Sequence, residues 1–353
     1  MTTAFDALEL VGVQLANRIV MAPMTRSRAH GPGATPTEMM ATYYGQRASA
    51  GLIVTEGVQP CVVGQGYPYT PGLHSDDQVA AWRQVTRAVH DNGGVIFAQL
   101  MHSGRIGHPS LLPDDLIPVA PSAVRAQGQV FAANGLTDFV VPKELTTEEI
   151  TETISHYATA ARNAVAAGFD GVEIHGANGY LIHQFLAPNT NLRTDEWGGS
   201  TEGRVRFGVE VARAVADAIG PHRVGFRISP GNPFNDIEED DLAAVYGTLV
   251  AQLEPLSLAY LHLAEVGNRD LTVQLRKQWS GAFVLNPSTN PDPVGRLELI
   301  EDGVADMVAF GAMFLANPDL PHRLLQGGPF NTPDPSSFYG GDNRGYTDYP
   351  TLA

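Results

Sequence analysis

The sequence predicts a single (β/α)8 TIM barrel, and three features of its 353 residues support that prediction. Short apolar segments rich in β-branched residues alternate with longer amphipathic segments, as strands alternate with helices in α/β proteins. Eight such pairs follow one another, and polar residues stand where the apolar segments end. A doubly wound sheet is the alternative, but it usually has fewer strands, and no G-x-G-x-x-G motif follows the first strand here.

The eight predicted strands are short and apolar, which is typical of parallel strands that are buried on both faces. In chain order they cover residues 18–21, 51–56, 95–100, 171–175, 224–228, 259–263, 282–285 and 306–310.

Capping residues mark the starts of two predicted helices. Ser75 is followed three residues later by Gln78, and Thr146 is followed at the same distance by Glu149. This spacing is typical of a capping box, in which the two side chains satisfy free backbone N–H groups of the first turn. A glycine follows the end of each helical pattern, as expected of a helix stop.

Two segments fall outside the alternation of strands and helices. Residues 107–145, after the third strand, contain five prolines and little periodicity. A long insertion of this kind inside a barrel predicts a lid or binding loop. Residues 327–353 are rich in Gly, Pro and Asp and are expected to form an ordered or half-ordered C-terminal extension. Since no linker is evident, residues 1–353 are expected to form one domain.

The composition excludes several classes of partner. A net charge of −16 argues against binding to nucleic acid or to an anionic membrane surface. The single cysteine, Cys61, cannot form an internal disulfide, and the N-terminus lacks the basic and apolar regions of a signal peptide. No apolar run reaches the length of a transmembrane helix. We therefore expect a cytoplasmic protein, either a monomer or a homo-oligomer, that acts on a small-molecule substrate.

The polar residues at the strand ends indicate the chemistry, because barrels of this kind place their active residues there. They are residues 23–25, residues 56–57, Gln99, Arg227 and a cluster formed by His175, Asn178 and Tyr180. No strand end offers a set of metal ligands, and no carboxylate pair for glycoside hydrolysis is evident. A ring of hydrogen-bond donors suits a flat, polar, partly anionic ligand instead.

Nine short motifs identify a family. They are "APMTR" (22–26), "GLIVTEGV" (51–58), "GYPYTPGL" (66–73), "FAQLMHSGR" (97–105), "HGANGYLIHQFL" (175–186), "NLRTDEWGGS" (191–200), "FRISPGN" (226–232), "FLANPDLP" (314–321) and "YGGDNRGYTDYP" (339–350). In this order and at this spacing, the set resembles the old yellow enzyme family of flavin-dependent ene-reductases, which are NAD(P)H-dependent alkene reductases. A single motif such as "APMTR" is weak evidence, whereas the whole set is highly specific.

The resemblance implies roles for the fourth strand end. His175 and Asn178 match the residues that hydrogen-bond the carbonyl or nitro oxygen of the substrate, where two donors stabilise developing enolate charge. Tyr180 matches the tyrosine that protonates the α-carbon, and a phenol with a pKa of about 10 stays protonated at neutral pH. The β-carbon receives a hydride from the flavin N5 atom, and NADH or NADPH reduces the flavin again.

The resemblance also implies contacts to the cofactor FMN. Thr25 matches the threonine that bonds the flavin O4 atom, Gln99 the amide at the pyrimidine edge, and Arg227 the arginine near N1. The residues that match positions with main-chain contacts to the flavin ring are Ala22, Pro23, Met24 and Gly57.

Three further positions bear on the substrate pocket, and a fourth departs from the family pattern outside it. Tyr67 and Tyr69 resemble its aromatic positions, although simple loop packing explains them equally well. Met101 stands where many members have tryptophan, so the pocket is expected to differ in shape. His183 replaces a frequent aspartate and is interpreted as a variation on the solvent side.

The expected phosphate site departs from the family pattern. Pro287 follows the seventh strand where members have a glycine pair, and Ala312 stands where they have an arginine. Ser288, Thr289 or the amide of Gly311 are possible substitutes. Alternatively, the cofactor is an 8-hydroxy-5-deazaflavin coenzyme, whose longer tail needs this region open.

Two other hypotheses stay open at this point. One is a flavin-free isomerase or lyase that uses His175, Asn178 and Tyr180 as an enolate site. The other is a ligand-binding barrel that has lost catalysis. Thr25, Gln99 and Arg227 argue against both, because their matches in the family serve a flavin ring rather than an enolate.

Overall fold

The computed structural model describes residues 2–10, 12–132, 135–287 and 292–352, and eight parallel strands close into a barrel at its centre. In chain order the barrel strands are Ile19–Met21, Leu52–Val58, Ile96–Leu100, Gly171–Gly176, Val224–Ile228, Tyr260–Glu265, Ala282–Pro287 and Met307–Phe310. Each corresponds to one predicted strand, with bounds that differ by one or two residues or not at all. The predicted (β/α)8 barrel is therefore confirmed.

Helices surround the barrel. Within the described ranges they are Glu38–Gly45, Asp76–His90, Thr147–Ala166, Leu181–Leu186, Thr201–Ile219, Leu242–Leu253, Arg269–Gln278, Glu298–Glu301, Ala312–Ala316 and Leu320–Gln326. Both predicted capping boxes are confirmed, at Ser75 with Gln78 and at Thr146 with Glu149. None of the helices in these ranges combines the length and the apolar composition that crossing a membrane requires.

The register of the barrel strands aligns the polar residues of the predicted site. Glu173 lies beside Gln99 of the third strand, and His175 lies beside Arg227 of the fifth. Arg227 in turn lies beside His262 of the sixth strand. Because side chains of a strand alternate between its two faces, residues 173 and 175 point to the same side. The register thus gathers these side chains at one end of the barrel interior.

An N-terminal hairpin closes the other end. Strands Leu8–Leu10 and Val13–Leu15 pair antiparallel, and Leu10 and Leu15 are buried with Ala259 at the amino ends of the barrel strands. This hairpin is not among the predicted strands. The alternation of apolar and polar residues in "LEL" and "VQL" was the signal for it.

The insertion after the third strand has more regular structure than its sequence indicated. Val119–Ala120 pairs with Lys143–Glu144 in parallel, and Gln129–Ala132 forms an antiparallel hairpin with Gly135–Asp138. Phe131, in that hairpin, is 60% exposed.

The C-terminal extension is ordered over its described residues, because buried arginines bind its backbone. The Arg26 guanidinium donates to the carbonyls of Phe338 at 2.8 Å and Gly345 at 2.9 Å. The ring of Tyr346 stacks on Tyr43 with centroids 4.0 Å apart. The extension therefore packs against the segment that follows the first barrel strand.

The buried carboxyl of Glu56, close to Arg26, predicts that the free energy of unfolding depends on pH. Glu56 accepts a hydrogen bond from the Tyr44 hydroxyl, and its Oε2 atom has no partner among the described residues. Burial raises the pKa of Glu56 to about 7, although Arg26 opposes the shift. Its folded pKa lies above the unfolded value, so its contribution to stability is present at acid pH and is lost as pH rises through about 7.

Replacing Glu56 by Gln is expected to remove this dependence while keeping the shape of the side chain. Relative to the variant, the native protein should lose about 2.5 kcal/mol of unfolding free energy between about pH 5 and about pH 8. Urea unfolding at several pH values measures this difference. A constant difference across that range would contradict the assignment.

Candidate active site

A cavity of about 300 Å³ opens at the carboxyl ends of the barrel strands. It is lined by Pro23, Met24, Thr25, Gly57, Gln99, Met101, His175, Asn178, Tyr180, Arg227, Phe234, Ala312, Leu315, Phe338 and Tyr339. The structure thus brings together most of the residues that the sequence predicted for the site. It adds Phe234 from the loop after the fifth strand, Leu315 from the helix Ala312–Ala316, and Phe338 and Tyr339 from the C-terminal extension.

A buried carboxylate lies beneath the cavity. Glu173 accepts hydrogen bonds from Gln99 Nε2 at 2.8 Å and from the Tyr260 hydroxyl at 3.0 Å, and it lies 2.8 Å from His262 Nδ1. Burial opposes its charge, but His262 and Arg227 hold the pKa of the Glu173 carboxyl below its usual range. The group is therefore ionised and can only accept hydrogen bonds. Sequence reasoning missed it, although it stands two residues before His175 on the same face.

The carboxylate fixes which ring nitrogen of His175 carries a proton. Because Glu173 accepts from Gln99, the Gln99 amide turns its Nε2 atom toward it, and the same Nε2 lies 3.1 Å from His175 Nδ1. Burial, reinforced by Arg227, holds the pKa of His175 well below its usual range, so the ring is neutral. A neutral ring whose Nδ1 accepts has its N–H at Nε2. His175 is thereby a hydrogen-bond donor.

Asn178 stands in the left-handed backbone region, with φ of 57°. Its backbone N–H donates to Ser229 Oγ at 2.8 Å, and its Oδ1 accepts from Asn232 Nδ2 at 2.9 Å. The Nδ2 group is then the half of the side-chain amide that is left to donate elsewhere. Asn178 and His175 therefore present two neutral donors.

Tyr180 precedes the buried helix Leu181–Leu186, and its hydroxyl lies 3.0 Å from the hydroxyl of Tyr67. Burial raises the pKa of Tyr180, although the Tyr67 hydrogen bond opposes the shift. Burial and the neighbouring Tyr180 raise the pKa of Tyr67 well above its usual range. Both phenols are therefore protonated at neutral pH.

A second cavity of about 490 Å³ adjoins the first. It is lined by Thr25, Ser27, Tyr67, Pro68, Phe131, Tyr180, Phe234 and Tyr339. Four of these residues line both cavities, and Phe131 comes from the insertion hairpin. Tyr69 lies elsewhere, 54% exposed and edge-on to His30, in a cavity that also includes Phe131.

The cavity walls fit a flat anionic ring. Arg227 is buried, donates to Asn286 at 3.1 Å and leaves its Nε without a partner in the described part of the chain. Gly57 lets the backbone form a wall of the cavity, and a Cβ atom there would lie 2.6 Å from Met101 Sδ, so the methionine side chain would have to move. A positive group with a free donor and a close backbone wall are what a flavin ring needs.

The remaining predicted cofactor positions differ in their placement. Ala22 is buried, and its backbone N–H donates to Phe310. Gly311 lies beside Met24 and precedes the short helix Ala312–Ala316. Ser288 and Thr289 lie outside the described residues.

The interpretation of His183 as a solvent-side residue was wrong. Its ring is completely buried, accepts from the Gly179 backbone N–H at 3.0 Å and lies 3.2 Å from Glu239. The reason is that the helix Leu181–Leu186 is buried along its whole length, so no position in it faces solvent. Among the described residues no group of three or more His, Cys, Asp or Glu side chains gathers to hold a metal ion.

Fold and site together define a (β/α)8 barrel protein with a polar cavity of about 300 Å³ at the carboxyl ends of its strands. Residues 4–331 match the model of the NADH:flavin oxidoreductase / NADH oxidase family, and the chain belongs to that family.

Named relatives and solved structures agree with this assignment. A probable flavin mononucleotide-dependent alkene reductase of Leishmania infantum is 44% identical, over 97% of this chain and 95% of that protein. A 12-oxophytodienoate reductase 1 of Oryza sativa subsp. japonica is 40% identical, over 96% and 90%. The structure of morphinone reductase in complex with tetrahydroNAD superposes with a TM-score of 0.95 at 43% identity, covering 100% and 98% of the two chains. An old yellow enzyme homologue from Zymomonas mobilis gives 0.95 at 39% identity, covering 99% and 100%. The resemblance to the old yellow enzyme family is confirmed, and the protein is a flavin-dependent alkene reductase.

Proposed function

We propose that the protein reduces activated C=C bonds of enones, maleimides or nitroalkenes with FMN as cofactor and NADH or NADPH as reductant. The observation that carries this proposal is the arrangement of two neutral donors, His175 and Asn178, with the protonated hydroxyl of Tyr180 around one cavity. Two such donors suit an oxygen that gains negative charge, and the phenol suits a carbon that gains a proton.

Several residues are suited to hold the FMN ring. Arg227 supplies the free Nε donor and a positive charge, Gly57 the close backbone wall, and Thr25 a hydroxyl. Both hydrogens of Gln99 Nε2 serve Glu173 and His175, so its Oε1 is left to accept from the ring. When bound, FMN would accept a hydride from the nicotinamide and supply one to the β-carbon of the substrate.

The chain's own residues then act on the substrate. The His175 and Asn178 donors bind the carbonyl or nitro oxygen and stabilise its charge as the C=C bond is reduced. Tyr180 delivers its hydroxyl proton to the α-carbon. The hydrogen bond between Tyr180 and Tyr67 holds the Tyr180 phenol in place. After Tyr180 has lost its proton, the Tyr67 hydroxyl can donate to the phenolate oxygen and stabilise its negative charge.

The second cavity suits an apolar part of the substrate or the nicotinamide. Phe131 and Phe234 give it aromatic walls, and Phe131 lies on the insertion, residues 107–145, whose role as a lid is part of the proposal. We further propose that residues 1–353 form one domain and that the protein is cytoplasmic, as a monomer or a homo-oligomer. Tyr69 lines a third cavity together with Phe131, which also lines the second cavity. Tyr69 is therefore included in the proposed substrate region.

An arginine introduced near the expected phosphate site should strengthen FMN binding. If FMN is bound without the family's arginine, Ala312→Arg should tighten FMN binding by about 1 to 2 kcal/mol, because Ala312 lines the cavity and a charged pair would form. Fluorescence titration of the apoprotein with FMN measures the change, and Ala312→Gln is the uncharged control of similar length. A loss of FMN affinity in the arginine variant would favour a longer cofactor tail at this place.

Mass spectrometry of the released cofactor separates the alternatives. FMN supports the proposal, whereas an 8-hydroxy-5-deazaflavin coenzyme would replace it. A protein that neither contains nor takes up either cofactor would favour the flavin-free isomerase or lyase. The FMN dependence in the name of the Leishmania infantum relative supports the first outcome.

A further inference from the structure

The loop after the fifth barrel strand surrounds Asn178 with three polar side chains. Ser229 accepts from its backbone N–H, Asn235 Nδ2 donates to its carbonyl at 2.8 Å, and Asn232 Nδ2 donates to its side-chain Oδ1 at 2.9 Å. The first two contacts hold the left-handed backbone of Asn178. The third contact acts on the side chain that faces the cavity.

A side-chain amide has nearly the same shape in its two orientations, so its hydrogen bonds decide which atom points where. Asn232 Oδ1 accepts from the backbone N–H of Phe234 at 3.1 Å. A backbone N–H can only donate, so Oδ1 of Asn232 must face Phe234, and its Nδ2 must face Asn178. Asn178 then presents Oδ1 to Asn232 and is left with Nδ2 for the cavity.

We propose that Asn232 is a positioning residue that sets the polarity of the Asn178 amide, so that the cavity presents a donor to substrates with an acceptor oxygen. This inference rests on the proposed function, because it assumes that Asn178 binds the substrate oxygen. The anchor of the whole chain of hydrogen bonds is the Phe234 backbone, which no side-chain rotation can reverse.

Asn232→Asp replaces the hydrogen-bond donor that faces Asn178 by an acceptor, with almost no change in the shape of the side chain. One carboxylate oxygen still accepts from the Phe234 N–H, and the other meets Asn178 Oδ1, where two acceptors repel. The Asn178 amide is then expected to turn over and to present its carbonyl to the cavity, beside the oxygen of the ligand.

The experiment measures binding of a phenolate, p-chlorophenolate, to the FMN-loaded enzyme through its charge-transfer absorbance. We expect Asn178→Ala to weaken binding by about 10- to 100-fold, the loss typical of a hydrogen bond to a charged group. Asn232→Asp should weaken it at least as much. Asn232→Leu, which removes the donor without adding charge, should weaken it less.

A double-mutant cycle of Asn232 and Asn178 shows whether Asn232→Asp weakens binding through the Asn178 amide, or instead through its negative charge or a disturbed loop. If Asn232 acts through the Asn178 amide, Asn232→Asp should have little further effect in the Asn178→Ala background. Equal losses in both backgrounds would overturn the inference, as would native affinity of Asn232→Asp. If Asn232→Asp fails to fold, Asn232→Leu supports the same comparison. Native affinity of Asn178→Ala would instead show that the proposed function is wrong.

Discussion

Tyr180→Phe is expected to slow turnover of a simple cyclic enone by about 10²–10⁴-fold, the range typical of a lost general acid. Reduction of the bound cofactor by NADH or NADPH should proceed at a near-native rate, because that half of the reaction takes no proton from a tyrosine. The substitution removes one hydroxyl from a buried ring that touches His175 and Tyr67, so packing should change little. Stopped-flow traces of the two half-reactions measure both rates.

Two controls sharpen this prediction. Tyr67→Phe breaks the same 3.0 Å hydrogen bond but keeps the Tyr180 hydroxyl, so it should retain far more enone reduction. Nitroalkenes should be partly spared in Tyr180→Phe, because a nitronate is a stable anion and leaves before protonation. If both half-reactions slowed equally, Tyr180 would be a structural or nicotinamide-positioning residue.

Replacing His175 and Asn178 together by alanine is expected to abolish tight phenolate binding and its charge-transfer band. Each lost donor should also cost about 2–4 kcal/mol of transition-state stabilisation in enone reduction. The physical reason is that both residues donate as neutral groups, His175 through Nε2 and Asn178 through Nδ2. Spectroscopic titration gives the affinity, and steady-state kinetics give the rate loss.

His108→Ala serves as the matched control, because this histidine lies on the insertion and outside the lining of the cavity. It should leave phenolate affinity unchanged. Native affinity in the double variant would refute the assignment of the two donors.

The barrel could be predicted from the sequence because its strands are short apolar runs separated by well-capped helices. The strand Val224–Ile228 agrees with the prediction at both ends, and the capping boxes at Ser75 and Thr146 form as their spacing indicated. These features are local, so the sequence shows them directly. The cluster of His175, Asn178 and Tyr180 is local too, since its three residues lie within six positions at the carboxyl end of one strand.

Features that depend on contacts between strands were not predicted. The ionised Glu173 lies in the fourth strand and meets His262 from the sixth, 89 positions later, so no local pattern connects them. Burial of His183 follows from how the short helix Leu181–Leu186 packs, and contacts to Tyr246 and Glu239 compensate the polar ring. Histidine, and the aspartate that the family often has at position 183, are polar residues, so neither indicates from the sequence that the position is buried.

Anaerobic reduction and reoxidation of the purified protein, recorded by visible absorbance, test whether it carries out both halves of a flavin-dependent alkene reduction. NADH or NADPH should bleach the absorbance of the bound flavin, and addition of cyclohexenone should restore it while the saturated ketone forms in equal amount. A colourless protein that takes up no FMN, or a reduced protein whose absorbance the enone does not restore, would contradict the proposed reaction.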